Sequence, residues 1–197
     1  MKPNPFYVRS LALCAGVVLA CAPVQAQSLR KAKATLNGCV DPTINVGNVF
    51  LVELPSAEAV KTVEVLISVR GLAPGKHAVH IHEVGACMPC SAAGSHLDLG
   101  PFGSNLPVTA NHPFHSGDLV NINVGADGRG TLLATTTRVA LTDGGLGILD
   151  ANGSSIIIHA LPDTYCPGGE VAGCAGGARA ACGKIELVNE ESDSWFD

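Results

Sequence analysis

The sequence predicts an all-β protein, an antiparallel sandwich or barrel. Short β-branched runs alternate with Gly, Pro, Asn and Asp along most of the chain. Gly supplies 23 of 197 residues and aromatics only 4%, a composition that suits tight turns better than packed helices. No segment of useful length carries the apolar period of an amphipathic helix.

The expected strands follow in order. Lys31 to Leu36 is a short leading candidate, followed by Val49 to Leu54, Thr62 to Arg70 and His77 to Glu83. Leu119 to Val124, Arg129 to Thr137, Ser155 to Ala160 and Lys184 to Val188 complete the set. Ala126-Asp127-Gly128 and Asp150-Ala151-Asn152-Gly153 carry turn chemistry between them. Two long segments, Val84 to Asp118 and Leu161 to Gly183, interrupt the pattern. Each begins beside a histidine-bearing strand, and loops this long inside a compact domain are usually functional.

Hydrophobic residues make up 47% of the chain, enough for a core and too many for a disordered tail. Lys and Arg number 12 against 17 Asp and Glu, for a net charge of -5 with no basic run. Nucleic acid is therefore not an expected partner. The N-terminus reads as a secretory signal, residues 1–26. Lys2 and Arg9 form a positive start, and Leu11 to Ala20 is an apolar run too short to span a bilayer. Val24-Gln25-Ala26 is a small-x-small site that places cleavage after Ala26. Removing Lys2 and Arg9 takes the net charge from -5 to -7. Leu19-Ala20-Cys21 offers an alternative, lipidation at Cys21, which its flanking residues fit poorly. Export to the periplasm or the extracellular space is the expected location, without a membrane span. The domain then occupies residues 27–197, with a core over 32–188 and an acidic tail over 189–197.

Two of the eight cysteines, Cys14 and Cys21, fall in the signal. Cys39, Cys87, Cys90, Cys166, Cys174 and Cys182 remain. Six cysteines in an exported domain suggest disulfides, with about 15 connectivities open. Cys87 and Cys90 also form a C-x-x-C, but no second one follows, so a zinc–thiolate site is disfavoured.

All seven histidines lie between positions 77 and 159: His77, His80, His82, His96, His112, His115 and His159. His80 and His82 are two apart on an expected strand, so they share a face about 7 Å apart. His115-Ser116-Gly117-Asp118 offers an imidazole and a carboxylate from one turn. His159 ends the apolar run Ile156-Ile157-Ile158, where an unpaired ring is costly. Each alone reads as a solvated or satisfied histidine; together they point to a shared metal site. Imidazoles with one carboxylate and no thiolate suit zinc or copper.

Five motifs in one order then resemble the copper/zinc superoxide dismutase family. Gly75-Lys76-His77-Ala78-Val79-His80-Ile81-His82-Glu83 resembles its H-x-H strand. Cys90 with His96 resembles its cysteine followed six residues later by the metal-bridging histidine. His115-Ser116-Gly117-Asp118-Leu119 resembles its zinc segment, and Ile157-Ile158-His159 the strand of its last copper ligand. Gly177-Ala178-Arg179-Ala180-Ala181-Cys182-Gly183-Lys184-Ile185 resembles its active-site arginine and second disulfide cysteine. The resemblance runs from about Ala32 to Val188.

It implies an eight-stranded antiparallel Greek-key β-barrel that converts superoxide to dioxygen and hydrogen peroxide. Copper is then expected on His80, His82, His96 and His159. Zinc is expected on His96, His112, His115 and Asp118, with His96 shared. Asp163 is expected to link one copper and one zinc histidine, and Arg179 to attract the anionic substrate. The resemblance pairs Cys90 with Cys182; Cys166 and Cys174, close in sequence, are expected to clip the second loop, leaving Cys39 with Cys87. His112 and His115 are separated only by Pro113 and Phe114, closer than is usual in the family. A homodimer is left open. The alternative function is a non-catalytic copper-binding or copper-delivery domain on the same fold.

Overall fold

The computed structural model describes residues 29–100, 112–167 and 171–188. The expected signal and the acidic tail, with Trp195 and Phe196, lie outside the described residues. Ten β-segments and one short 3-10 turn are present among the described residues. They are β1 (Arg30–Gly38), β2 (Asn45–Glu53), β3 (Val63–Val69), β4 (Gly75–His77), β5 (Val79–His82), β6 (Ile122–Val124), β7 (Gly130–Thr136), β8 (Ser155–His159), β9 (Arg179–Lys184) and β10 (Glu186–Leu187). The turn spans Cys90–Ala93.

All ladders between these segments are antiparallel. The sheet runs β4-β6-β7-β3-β2-β1-β9-β8-β5, with β10 beside β1. Its two ends, β4 and β5, are consecutive stretches separated only by Ala78, so the sheet closes on itself. Consecutive β3 and β4 lie apart with β7 and β6 between them, the crossing connection of a Greek key. Ten segments stand where eight strands were expected, because two strands are each broken at one residue. Ala78 donates to Leu161 O and accepts from His159 N, both at 2.9 Å, which interrupts β4–β5. Ile185 N turns to Ser154 O at 2.9 Å, which separates β9 from β10.

Period-2 patterning builds the core. Val63, Val65, Ile67 and Val69 of β3 point inward, while Glu64, Leu66 and Ser68 face solvent. β8 is buried at all five positions because both of its faces are covered. Ile156 and Ile158 join the barrel core, whereas Ile157 packs outside with Cys90, Ala93 and Cys182. The outer face of β5, β8 and β9 is therefore roofed by the loop after β5, and that roof encloses the histidines.

Two sequence expectations change here. Arg179 to Gly183 was expected in a loop but belongs to β9; a run of Gly, Ala and Cys carries no β-branched signal. The pairings Cys90–Cys182 and Cys39–Cys87 are overturned by Cys39–Cys90 and Cys87–Cys182, each with Cα atoms 5.6 Å apart. Register explains the exchange. Asn37 opposes Cys182 and Gly38 opposes Ala181, and Cys39 N donates to Ala180 O at 2.9 Å. Cys39 thus sits off the end of β1 against the 3-10 turn that carries Cys90, while the preceding residues bring Cys87 to Cys182. The expected clip Cys166–Cys174 is present.

Non-reducing peptide mapping should recover these three pairs. Replacing both Cys87 and Cys182 with Ala frees a closure spanning 95 residues. In the chain-entropy treatment this costs about 4–5 kcal/mol, measurable as a lower urea midpoint.

Candidate metal centre

The centre is built on the edge of β5 that β8 does not occupy. Ile81 N donates to Gly117 O at 2.8 Å, Leu97 N donates to Ile81 O at 2.9 Å, and Leu119 N donates to Val79 O at 3.1 Å. This pairing sets His80 opposite Asp118 and His82 opposite His96. Val79 and Ile81 fill the barrel, so His80 and His82 point outward on one face, both fully buried by the loop. Gly117 permits the close approach: a Cβ there would lie 2.3 Å from Ile81 O.

His80, His82, His96 and His159 bring one ligand atom each to within 4.8 Å of one another. His80, His96, His112 and Asp118 form a second such group. His80 and His96 fall in both, their ring centroids 4.0 Å apart. His115 joins at Asp118: its Nδ1 is 3.0 Å from Oδ2. His96 Nδ1 lies 2.8 Å from Asp118 Oδ1, which leaves Nε2 for the first group. His112 Nδ1 is 3.1 Å from Asp118 Oδ2, outside hydrogen-bond geometry. The close spacing of His112 and His115 therefore still lets both rings reach one carboxylate, with centroids 5.8 Å apart.

Each ring is held at one nitrogen so that the other is free. His80 Nε2 donates to Asp163 Oδ2 at 3.0 Å, and His112 Nε2 donates to Asp163 Oδ1 at 2.8 Å. His82 Nδ1 donates to Gly94 O and His159 Nδ1 to Gly177 O, both at 3.0 Å. A ring N–H pinned to an oxygen fixes the tautomer and aims the opposite lone pair. The nitrogens so aimed, His80 Nδ1, His82 Nε2, His112 Nδ1 and His159 Nε2, are buried and have no hydrogen-bond partner. Buried lone pairs left unpaired are costly; those of His80, His82 and His159 fall in the first group and that of His112 beside Asp118 in the second, which fits a cation bound in each.

Electrostatics agree. Burial pushes the His80 imidazole down, and also those of His82, to about 2, and His159, to about 3. These rings are neutral, and so competent to ligate, at neutral pH. Burial opposes ionisation of Asp118, but the imidazoles of His112, His115 and His96 set against its oxygens hold its carboxyl well below the usual range. Asp163 is likewise lowered, burial being outweighed by His80, His112 and Tyr165 N. Burial lowers His112 too, yet Asp118 and Asp163 more than offset it, so its pKa rises.

No motif points to Asn121, which holds Asp163 at both main-chain groups. Its Nδ2 donates to Asp163 O at 2.9 Å, and its Oδ1 accepts from Asp163 N at 2.7 Å. No local spacing connects residues 42 apart. His77, outside both groups, reaches His159 O through Nδ1 at 2.7 Å and Ala73 O through Nε2 at 2.8 Å. Arg179 donates from its guanidinium to Cys90 O and Gly94 O. It lines, with His82, His96 and His159, a cavity of about 450 Å³. The stretch from Val171 to Ala175, braced by Cys166–Cys174, also lines it.

Residues 46–185 match the family model described as copper/zinc superoxide dismutase. A Cu-Zn superoxide dismutase of Deinococcus radiodurans is 40% identical over 136 residues, 64% of this chain and 71% of that protein. One from Caulobacter vibrioides is 37% identical over 148 residues, 72% and 79% of the two chains. Among solved structures, a double mutant of a SOD-like protein from Bacillus subtilis is similar with a TM-score of 0.59 and 32% identity, covering 77% of this chain and 94% of that one. The SOD-like protein without those substitutions gives 0.57 and 29%, over 77% and 95%. A match over most of the barrel, together with relatives at this identity, means that the chain belongs to the copper/zinc superoxide dismutase family.

Proposed function

We propose that the protein is an oxidoreductase that dismutates superoxide, two superoxide anions and two protons giving dioxygen and hydrogen peroxide. The observation that carries this reading is the four-histidine group of His80, His82, His96 and His159, three of whose ring nitrogens are buried and unpartnered, with Arg179 lining the cavity beside His82, His96 and His159. His80, His82, His96 and His159 would hold copper, and His96, His112, His115 and Asp118 would hold zinc. Bound copper supplies the one-electron couple that accepts an electron from one superoxide and returns it to the next, while zinc has no redox chemistry of its own.

The chain's residues do the rest. Asp163 orients His80 and His112 together, so the geometry of one half is tied to that of the other. His96 presents Nδ1 to Asp118 and keeps Nε2 for the copper half, where that atom can hold a proton for the peroxide product. Arg179 is fixed by two carbonyls at the cavity, where a small anion meets a guanidinium whose position is already set. The alternative, a copper-delivery domain, leaves this guanidinium and the Asp118 cluster without a role. Three disulfides suit an oxidising compartment, which supports export to the periplasm or beyond. Among the described residues no helix is long and apolar enough to cross a membrane.

Arg179→Ile should lower kcat/KM for superoxide by about tenfold, the low end of what local electrostatic focusing supplies. Inhibition by small anions should weaken, with copper and zinc content intact. A fully metallated Arg179→Ile protein with an unchanged rate would remove Arg179 from the mechanism. Fully copper-loaded wild-type protein without dismutation would favour the delivery reading.

The metal-free protein should lose stability on acidification. His80, His82 and His159 have depressed pKa values, so below 6.5 the unfolded chain binds more protons than the folded one. Stability then falls from 6.5 downward through about 3 and about 2, where His159 and His82 titrate in the fold. Asp118 and Asp163 add a further loss as pH drops below 3.8. His112 acts oppositely, its contribution being full below 6.5 and lost as pH rises through its raised pKa, but it is one ring against three. The urea midpoint of chelator-treated protein should therefore be lower at a pH of about 4.5 than at about 7.5.

A further inference from the structure

His112, His115 and Asp118 all come from one short turn, and a turn leaves carbonyl oxygens that its own N–H groups cannot fill. Asp118 N reaches His115 O at 3.2 Å, and Gly117 spends its N–H and C=O on Leu97 and Ile81. The carbonyls of Pro113 and Asp118, and the second acceptor site of His115 O, are gathered by one side chain, Arg138. Its Nη1 donates to His115 O at 3.0 Å and to Pro113 O at 3.4 Å, and its Nη2 donates to Asp118 O. Arg138 stands two residues beyond the end of β7, and its own N–H is fixed to Thr136 Oγ1 at 3.1 Å. A planar fork anchored to the barrel thus grips the main chain of the turn.

We propose that Arg138 is a positioning residue for the zinc half of the centre, setting the turn so that His112, His115 and Asp118 meet. This rests on the reading of those three residues, with His96, as zinc ligands. The Asp118 carboxylate lies within 3.1 Å of three imidazole nitrogens while the carbonyl of the same residue is held by Arg138, so the fork fixes the orientation of the residue at the middle of the cluster. The role depends on shape. A guanidinium presents its donors in a rigid plane that can hold several carbonyls at once, whereas an ammonium is a single point. Positive charge by itself works against a nearby dication, so charge alone cannot be what the site draws from Arg138.

The test compares wild type, Arg138→Lys, Arg138→Met and Asp118→Ala, each first loaded with copper. Zinc is titrated against a chromophoric chelator, and cobalt(II) is substituted into the zinc half for its absorption spectrum. Arg138→Lys should bind zinc about tenfold more weakly, as loss of a group that orients ligands typically does, and should alter the cobalt spectrum. Copper uptake should remain stoichiometric. Arg138→Met should do the same or more, and if it fails to fold, Arg138→Lys carries the result. Wild-type zinc affinity and an unchanged cobalt spectrum in Arg138→Lys would overturn the proposal, whatever happens to its thermal stability. Wild-type protein that takes up no zinc, or Asp118→Ala with unaltered affinity, would overturn the zinc reading itself and the role of Arg138 with it.

Discussion

The centre depends on main-chain pairing along the free edge of β5. Ile81 binds the loop through both its N–H and its C=O, and Val79 accepts from Leu119. Because side chains alternate along a strand, this one registration sends Val79 and Ile81 into the core and His80 and His82 into the loop. The same bonds set His96 and Asp118 opposite those two histidines. A slip of one residue would exchange the faces, placing imidazoles in the barrel and isoleucine at the site. Gly117 belongs to this constraint, since any side chain there would collide with Ile81 O.

The second constraint is electrostatic. Asp118 and Asp163 are almost wholly buried, which is costly for charged carboxylates unless each is well bonded. Each carboxylate meets imidazoles at both oxygens, and Asp163 also takes the N–H of Tyr165 at 2.7 Å. The imidazoles are thereby turned with their remaining lone pairs inward. The arrangement is preorganised: rings, carboxylates and the Arg179 guanidinium are each held by groups from the barrel or its disulfide-braced loops. His96 lies where the two clusters meet, and it links the electron-carrying half to the structural half in the mechanism proposed.

Much of this was legible in the sequence. Alternation located most strands, and His80, His82, His159 and the His115–Asp118 turn could be read because each motif is local. Features set by distant register were harder. Cys90 stands six residues before His96 and so drew the expected pairing with Cys182, yet Cys87 reaches Cys182 because β1 brings Cys39 against the 3-10 turn. The start of β9 was hidden in small residues with low strand propensity, and its first two, Arg179 and Ala180, are only half-buried. Asn121 and Arg138 act on the main chain of distant segments, and no spacing in one dimension reveals that.

The central claim is that one imidazole, His96, is shared by two ions. Copper(II) in the first cluster and cobalt(II) in the second provide the direct test, read by electron paramagnetic resonance. A shared His96 ring couples the two spins, and the copper(II) signal should disappear as cobalt(II) is added to one equivalent. A copper(II) signal that survives full cobalt(II) occupancy would contradict the shared ring and the account built on it.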